Sequence, residues 1–208
     1  MSERREACRA WPLICLMLWL VGCATPPARL PVDDDADLLR QTLRERRLDL
    51  QTRWQLEGRV AVRNGDDGGS GTLSLQRHAD ALQLSLRAPV SGQGWRLTIG
   101  PEGARLEGLQ GGPREDSDAD RLLRDAVGWD LPLAELQRWV RGQRGGRNAR
   151  IEFDSERLPQ SIQEAGWQIE YRGWDHRFDP PLPRRIEAWS GERRLRLVVR
   201  QWQVGPDE

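Results

Sequence analysis

The sequence predicts a mainly β protein of the α+β class: an antiparallel meander of about ten strands, interrupted once by two short helices. Three observations carry this. From Trp54 to Val204, apolar residues alternate with polar ones in short runs, the period of a strand with one buried face. Brief turns rich in Gly, Pro and Asp separate the runs, and short turns join antiparallel neighbours. Between Ser117 and Gly142 the apolar spacing changes to three and four, as on a helix face.

In chain order, residues 36–51 (ADLLRQTLRERRLDLQ) set Leu38, Leu39, Leu43, Leu48 and Leu50 among charges. They predict an amphipathic helix whose charged residues face water. In WQLEGRVAVR, Trp54, Leu56, Val60 and Val62 share a strand face, and NGDDGGSG follows as a turn. Leu73 and Leu75 alternate next, then Leu82, Leu84, Leu86 and Ala88. After PVSGQG, Trp95, Leu97 and Ile99 alternate, and PEG turns into ARLEGLQ.

Ser117 is expected to cap the helix DADRLLRDAVGW, with Asp118 and Asp120 in its first turn, where negative charge meets the helix dipole favourably. Pro132 and Gly142 bracket a second helix, following the preference for proline at a helix start and glycine past its end. Leu133, Leu136, Trp139 and Val140 fall on one face of it. Two apolar helices interrupting a sheet suggest a lid over its concave side; helices packed on an ordinary α+β core are the alternative. Strands resume in RIEFD, SIQEAG, WQIEYRGW, RRIEAWS and RRLRLVVRQWQV. Trp167, Ile169 and Tyr171 share a face; Leu195, Leu197 and Val199 are expected opposite Val198, Trp202 and Val204. FDPPLP reads as a rigid loop before the penultimate strand.

The N-terminal segment has the parts of an export signal. Arg4, Arg5 and Arg9 precede an apolar run from Trp11 to Val21, too short for a membrane-spanning helix of roughly 20 residues. Leu-Val-Gly-Cys, ending at Cys23, resembles a bacterial lipobox. That resemblance implies removal of residues 1–22 and acylation of Cys23, and more than one chain gives stable anchoring. Ala24 follows the cysteine where Asp would imply retention in the inner membrane, so the address expected is the periplasmic face of the outer membrane. Cys8 and Cys15 would leave with the signal, so no thiol remains for a disulfide, a metal or a nucleophile. Residues 23–35, rich in Pro and Asp, read as a flexible tether, and residues 36–208 as one domain.

Lys and Arg together number 32 and so do Asp and Glu; this balance argues against nucleic acid, whose partners carry a basic surplus. Every Lys/Arg position is Arg, which we read as genomic base bias. Ten Trp accompany two Phe and one Tyr. Such a surplus suits a thick core or a lining for greasy ligands. Catalytic patterns are scarce. The two histidines, His78 and His176, lie in a turn region and a polar loop, and GGSGT is not a nucleophile elbow. No phosphate loop or zinc-protease motif occurs. Neither catalytic residues nor a metal or cofactor are expected.

In order, these elements resemble the LolB family of outer-membrane lipoprotein receptors. The resemblance rests on the lipobox, GRVAVR, LRAPVSGQGWRLTI, the Gly128–Gly142 pattern GWDLPLAELQRWVRG and RIEAWSGERRLRLVVRQWQV. It implies an incomplete antiparallel β-barrel of ten or eleven strands, with a helical lid over a hydrophobic cavity. It implies a monomer that takes lipoproteins from the periplasmic carrier LolA, binds their acyl chains and inserts them among outer-membrane phospholipids. Trp54, Leu56, Leu84, Leu86, Trp95 and Leu97 become candidates for the cavity wall. Leu133, Leu136, Trp139 and Val140 become candidates for the lid. The family's protruding loop, with an apolar residue after proline, maps onto Pro89 and Val90. Two other classes stay open: an envelope-assembly lipoprotein that binds protein partners without a lipid cavity, and an anchored hydrolase using His78 or His176.

Overall fold

The computed structural model describes residues 34–88, 94–146 and 148–205. Helix α1 (Asp34–Asp49) opens the compact unit. Six strands follow: β1 (Arg53–Asn64), β2 (Asp67–His78), β3 (Ala81–Arg87), β4 (Gly94–Gly100), β5 (Gly103–Glu107) and β6 (Arg114–Asp116). Helices α2 (Ala119–Val127) and α3 (Leu133–Trp139) come next. The chain then forms β7 (Arg150–Phe153), β8 (Pro159–Glu164), β9 (Trp167–Tyr171), β10 (Trp174–Asp175), β11 (Leu182–Pro183), β12 (Arg185–Ser190) and β13 (Arg193–Val204). The helical insert therefore falls after the sixth strand.

Eleven strands make one sheet in the order β6-β5-β4-β3-β2-β1-β13-β12-β9-β8-β7, while β10 and β11 pair separately, β11 ending the FDPPLP segment read as a rigid loop and β10 preceding it. The edges, β6 and β7, do not join, so the sheet is an incomplete barrel rather than a closed one. It has two meandering halves joined where β1 pairs β13, antiparallel, along nearly its whole length.

Alternation puts the core on one face. Leu56, Leu75, Leu84, Leu97 and Leu106 stand opposite one another across β1 to β5, and Trp202 extends the row onto β13. A second row runs the other way from Val62 through Leu195, Ala188, Ile169 and Ile162 to Ile151. Both rows begin on β1, and all of these except the partly buried Ile151 lie in the buried core.

One expected face is corrected by a bulge. Glu57 pairs Gln201 but Gly58 pairs Val199, so Arg200 is the extra residue on β13. The extra residue reverses the alternation. Trp202 therefore joins Leu195 and Leu197 on the inner face, leaving Val198 opposite them and partly exposed. A bulge also bends its strand and increases the twist, which an unclosed barrel requires. Glycine is needed at the site: a Cβ on Gly58 would stand 2.6 Å from the Val198 carbonyl oxygen.

The expectation for α1 is also overturned. Its buried side chains are Asp37, Gln41, Arg44, Glu45 and Leu48, while Leu39, Leu43 and Leu50 are 61%, 49% and 72% exposed. The reason lies in its neighbour. The segment under α1 presents backbone carbonyls of Arg141, Gly142 and Pro181, and Arg44 donates to all three at 2.8 Å. Buried carbonyls need donors, which leucine cannot supply.

Gly58→Ala should lower the unfolding free energy by about 2–3 kcal/mol, because backbone at the seam must move to admit the methyl group. Urea unfolding measures this; a loss below about 0.5 kcal/mol would mean the bulge tolerates a side chain.

Candidate functional site

The candidate wall residues share the inner face. Leu56, Leu84 and Leu97 lie in the first row, and Leu86 pairs Trp95 in the next. Trp54 sits between Val204 and Arg77 at the start of β1. All are buried except Leu86, which is partly buried against the same core.

The two helices cover this face. Capping of α2 falls to Asp118 rather than Ser117, because the Asp118 carboxylate accepts the Arg121 N–H at 3.0 Å. The Asp118 N–H is in turn held by Asp116 at 2.8 Å. Gly128, at φ 73°, ends the helix. Asp120 accepts the Leu133 N–H at 3.0 Å, so a side chain of α2 caps α3, whose own N-cap, Pro132, makes no side-chain cap bond. Burial raises the Asp120 pKa although the Leu133 N–H opposes it. Past Trp139 the chain turns at Gly142, at φ 70°, where a Cβ would meet the Trp174 ring at 2.5 Å.

Leu133, Leu136, Trp139 and Val140 point into the core, with Leu122 and Leu123 of α2 and Trp129 and Leu131 between the helices. Trp129 meets Trp95 edge to face at 5.3 Å, and Trp139 packs on Trp167 at 5.7 Å. The Tyr171 hydroxyl donates to the Trp139 carbonyl at 3.0 Å, and the Trp139 indole N–H to Glu164. Leu122, Leu123, Trp129 and Leu131 were not singled out from sequence. Their signals were the Leu doublet inside DRLLRD and the apolar pair flanking Asp130. Further polar contacts join the helical insert to the sheet: Arg77 to Gln137 at 2.7 Å, Asn64 to the Gly128 carbonyl at 3.3 Å, Arg193 to Asp130 at 2.9 Å and Arg121 to Asp116 at 3.0 Å.

The inner face and the helix undersides thus form one continuous apolar cluster, and the helices fill the concavity. A recess of about 400 Å³ opens between the helices and the β2–β4 ends, against Leu82, Ile99, Ala119, Leu133 and Gln137. A larger one, about 770 Å³, lies along β4–β6 and is edged by Glu102, Arg105, Glu115 and Asp116. Among the described residues no group of acidic, His or Cys side chains is placed to hold a metal, and no helix is long and apolar enough to cross a membrane. His176 Nε2 lies 3.2 Å from Glu156 on the surface. Cys23, Pro89 and Val90 lie outside the described residues.

From the last turn of α3 onward, residues 138–144 are gripped by α1. Arg144 pairs with Glu45 at 2.7 Å and Arg138 with Asp49 at 3.1 Å. Gln41 donates to the Gly142 carbonyl at 2.9 Å, and Arg141 to the Leu48 carbonyl at 2.6 Å. Arg44 lies over the Trp174 ring and Arg141 over Trp54, at 5.0 and 5.3 Å, a favourable setting for a desolvated cation. Burial lowers both guanidinium pKa values to about 10, so both stay charged at neutral pH. For Glu45, burial opposes ionisation, but hydrogen bonds from Arg144 and Gln41 outweigh it and its pKa falls below 4.5.

A family model described as outer membrane lipoprotein LolB matches residues 52–202. The outer-membrane lipoprotein LolB of Xanthomonas axonopodis pv. citri is 40% identical over 183 residues, covering 84% of each chain. That of Alkalilimnicola ehrlichii is 35% identical over 191 residues, covering 91% of this chain and 94% of its own. Among solved structures, a LolA superfamily protein from Nitrosomonas europaea is a distant likeness. Its TM-score is 0.43 at 10% identity, over 76% of this chain and 88% of that one.

Because the folded pKa of Glu45 is depressed, its contribution is fully present above the unfolded value of 4.5 and is lost as pH falls below it through the lower folded value. Glu45→Gln should therefore cost about 1–3 kcal/mol at pH 7 and less at a second, acid pH below 4.5. Urea unfolding at the two pH values checks this; an equal loss at both would remove the carboxylate from the account.

Proposed function

This chain belongs to the LolB family of outer-membrane lipoproteins, and from that premise we propose that it receives lipoproteins from the periplasmic carrier LolA and inserts them into the outer membrane. The chain is a lipid-anchored outer-membrane protein, and Cys23 is the residue we assign to the anchor. The observation that carries the reading is the apolar continuity between lid and sheet. The helices meet the inner face mainly through apolar side chains, and each of their polar bonds to the sheet involves a side chain. They can lift without breaking the sheet's ladders, exposing a groove of Trp54, Leu56, Leu84, Leu86, Trp95 and Leu97. Leu133, Leu136, Trp139 and Val140 then roof the acyl chains.

The energetics suit transfer without a nucleotide. Each buried CH₂ is worth about 0.8 kcal/mol, so a multiply acylated protein cannot cross water unshielded. A receptor that offers slightly more apolar surface than the carrier draws cargo forward. Release is assigned to Pro89 and Val90 in the β3–β4 connection, whose apolar character suits contact with the bilayer. The filled interior also fits a second reading, an assembly lipoprotein that binds only protein partners. Binding of acyl chains by the isolated protein separates the two.

Two measurements test the receptor. Cysteines at Arg77 and Gln137, bridged by a short bis-maleimide, should hold the lid down and cut transfer of radiolabelled lipoprotein from LolA at least about tenfold, the effect of about 1.4 kcal/mol. Undiminished transfer would show that the lid need not move. Val90→Glu should accept cargo normally but leave it undelivered to membranes; unchanged delivery would remove Val90 from that role.

A further inference from the structure

We propose that the outward face of α1 is a separate bilayer contact, a leucine and arginine surface that lies along phospholipid headgroups and seats the domain on the membrane holding its anchor. The inference rests on the assignment of the anchor to Cys23, but on none of the residues assigned to cargo or to the β3–β4 connection.

The large exposed apolar side chains of the described residues are Leu39, Leu43, Leu50 and Val198, so three of these four belong to α1 and the turn that continues it. Spacings of four, three and four place Leu39, Leu43, Arg46 and Leu50 in one stripe. The Leu50 N–H bonds to the Arg46 carbonyl at 3.2 Å, carrying the stripe past the last helical residue. Arg40 and Arg47 flank it, each more than half exposed although paired with Asp37 and Asp179. Leucines interleaved with arginines suit an interface, where the arginine stems lie along acyl chains and the guanidinium groups reach phosphate. The helix cannot turn this stripe inward, because Gln41, Arg44 and Glu45 are committed to residues 141–144.

The occupant follows from the anchor. Eleven residue steps separate Cys23 from Asp34, a reach of at most about 40 Å. The first folded element is therefore held within about 40 Å of the bilayer, and its effective encounter with lipid is intramolecular. Three leucines are too small a patch for a stable protein interface, which needs about 1,200–2,000 Å². A helix already delivered to the surface needs far less.

The test uses the mature acylated chain, which has no free thiol once Cys23 is modified. Leu43→Cys carrying an environment-sensitive fluorophore is reconstituted in vesicles of phosphatidylethanolamine and phosphatidylglycerol containing nitroxide-labelled lipid. We expect a blue-shifted, quenched label at position 43 and an unquenched one at Arg194→Cys on the hairpin end of β13. Adding Leu39→Glu and Leu50→Glu should reduce the quenching about tenfold or more. These positions are exposed, so the fold is retained. A label that stays in water overturns the proposal. So does one shielded without lipid as protein concentration rises, which would assign the stripe to a second copy. A label shielded only when the carrier is added would assign it to that protein instead. Mass spectrometry of Cys23 reports the anchor independently, so an unmodified cysteine is distinguishable from an anchored chain whose helix stands off the membrane.

Discussion

The pairing of β1 with β13 holds the rest of the structure in place. It joins two local meanders that would otherwise be separate sheets, each with an unsupported edge. Both leucine- and isoleucine-rich rows of the inner face start on β1 and run outward in opposite directions. The seam also carries the bulge at Gly58 and Arg200, so the element that unites the halves bends them as well. Curvature at this point makes one side of the sheet concave and gives the helices a surface to cover. Such a pairing between distant parts of the chain is costly in loop entropy and rewards itself only late in folding.

The lid and α1 solve opposite problems. The lid is fastened by apolar area: Trp129 on Trp95, Trp139 on Trp167, and leucines beneath both helices. Such contacts are non-directional and can be exchanged for acyl chains at little net cost. Helix α1 is fastened by charged donors and carbonyls of fixed geometry, which have no comparable substitute. The segment it holds is where α3 ends. A rigid polar clamp therefore adjoins an exchangeable apolar cover, and Gly142, where a Cβ would run into the Trp174 ring, is the turn between them.

The α1 packing also frees its leucines. In an isolated amphipathic helix they would be the buried stripe. Here the buried carbonyls outrank them, because leaving such groups without donors costs more than leaving leucines in water. The result is a helix with a polar underside and an apolar back, placed directly after the segment assigned to the anchor.

Period-2 alternation in β1 to β5 was legible because each strand has one buried face, and it places Leu56, Leu84, Trp95 and Leu97 on that face. The helical insert was legible from the change of period, and Pro132 and Gly142 marked its second half. Trp202 was misplaced because one unpaired residue reverses alternation, and only the partner strand shows which residue is extra. Capping by Asp118 rather than Ser117 is a choice between adjacent acceptors made by local geometry. The inverted face of α1 was illegible because it depends on carbonyls about a hundred residues away. By itself the sequence determined the strands, the insert and the family, since those are properties of short segments. The tertiary structure alone decided which faces are covered, where the sheet bends and which leucines meet solvent, because those depend on what a distant part of the chain presents.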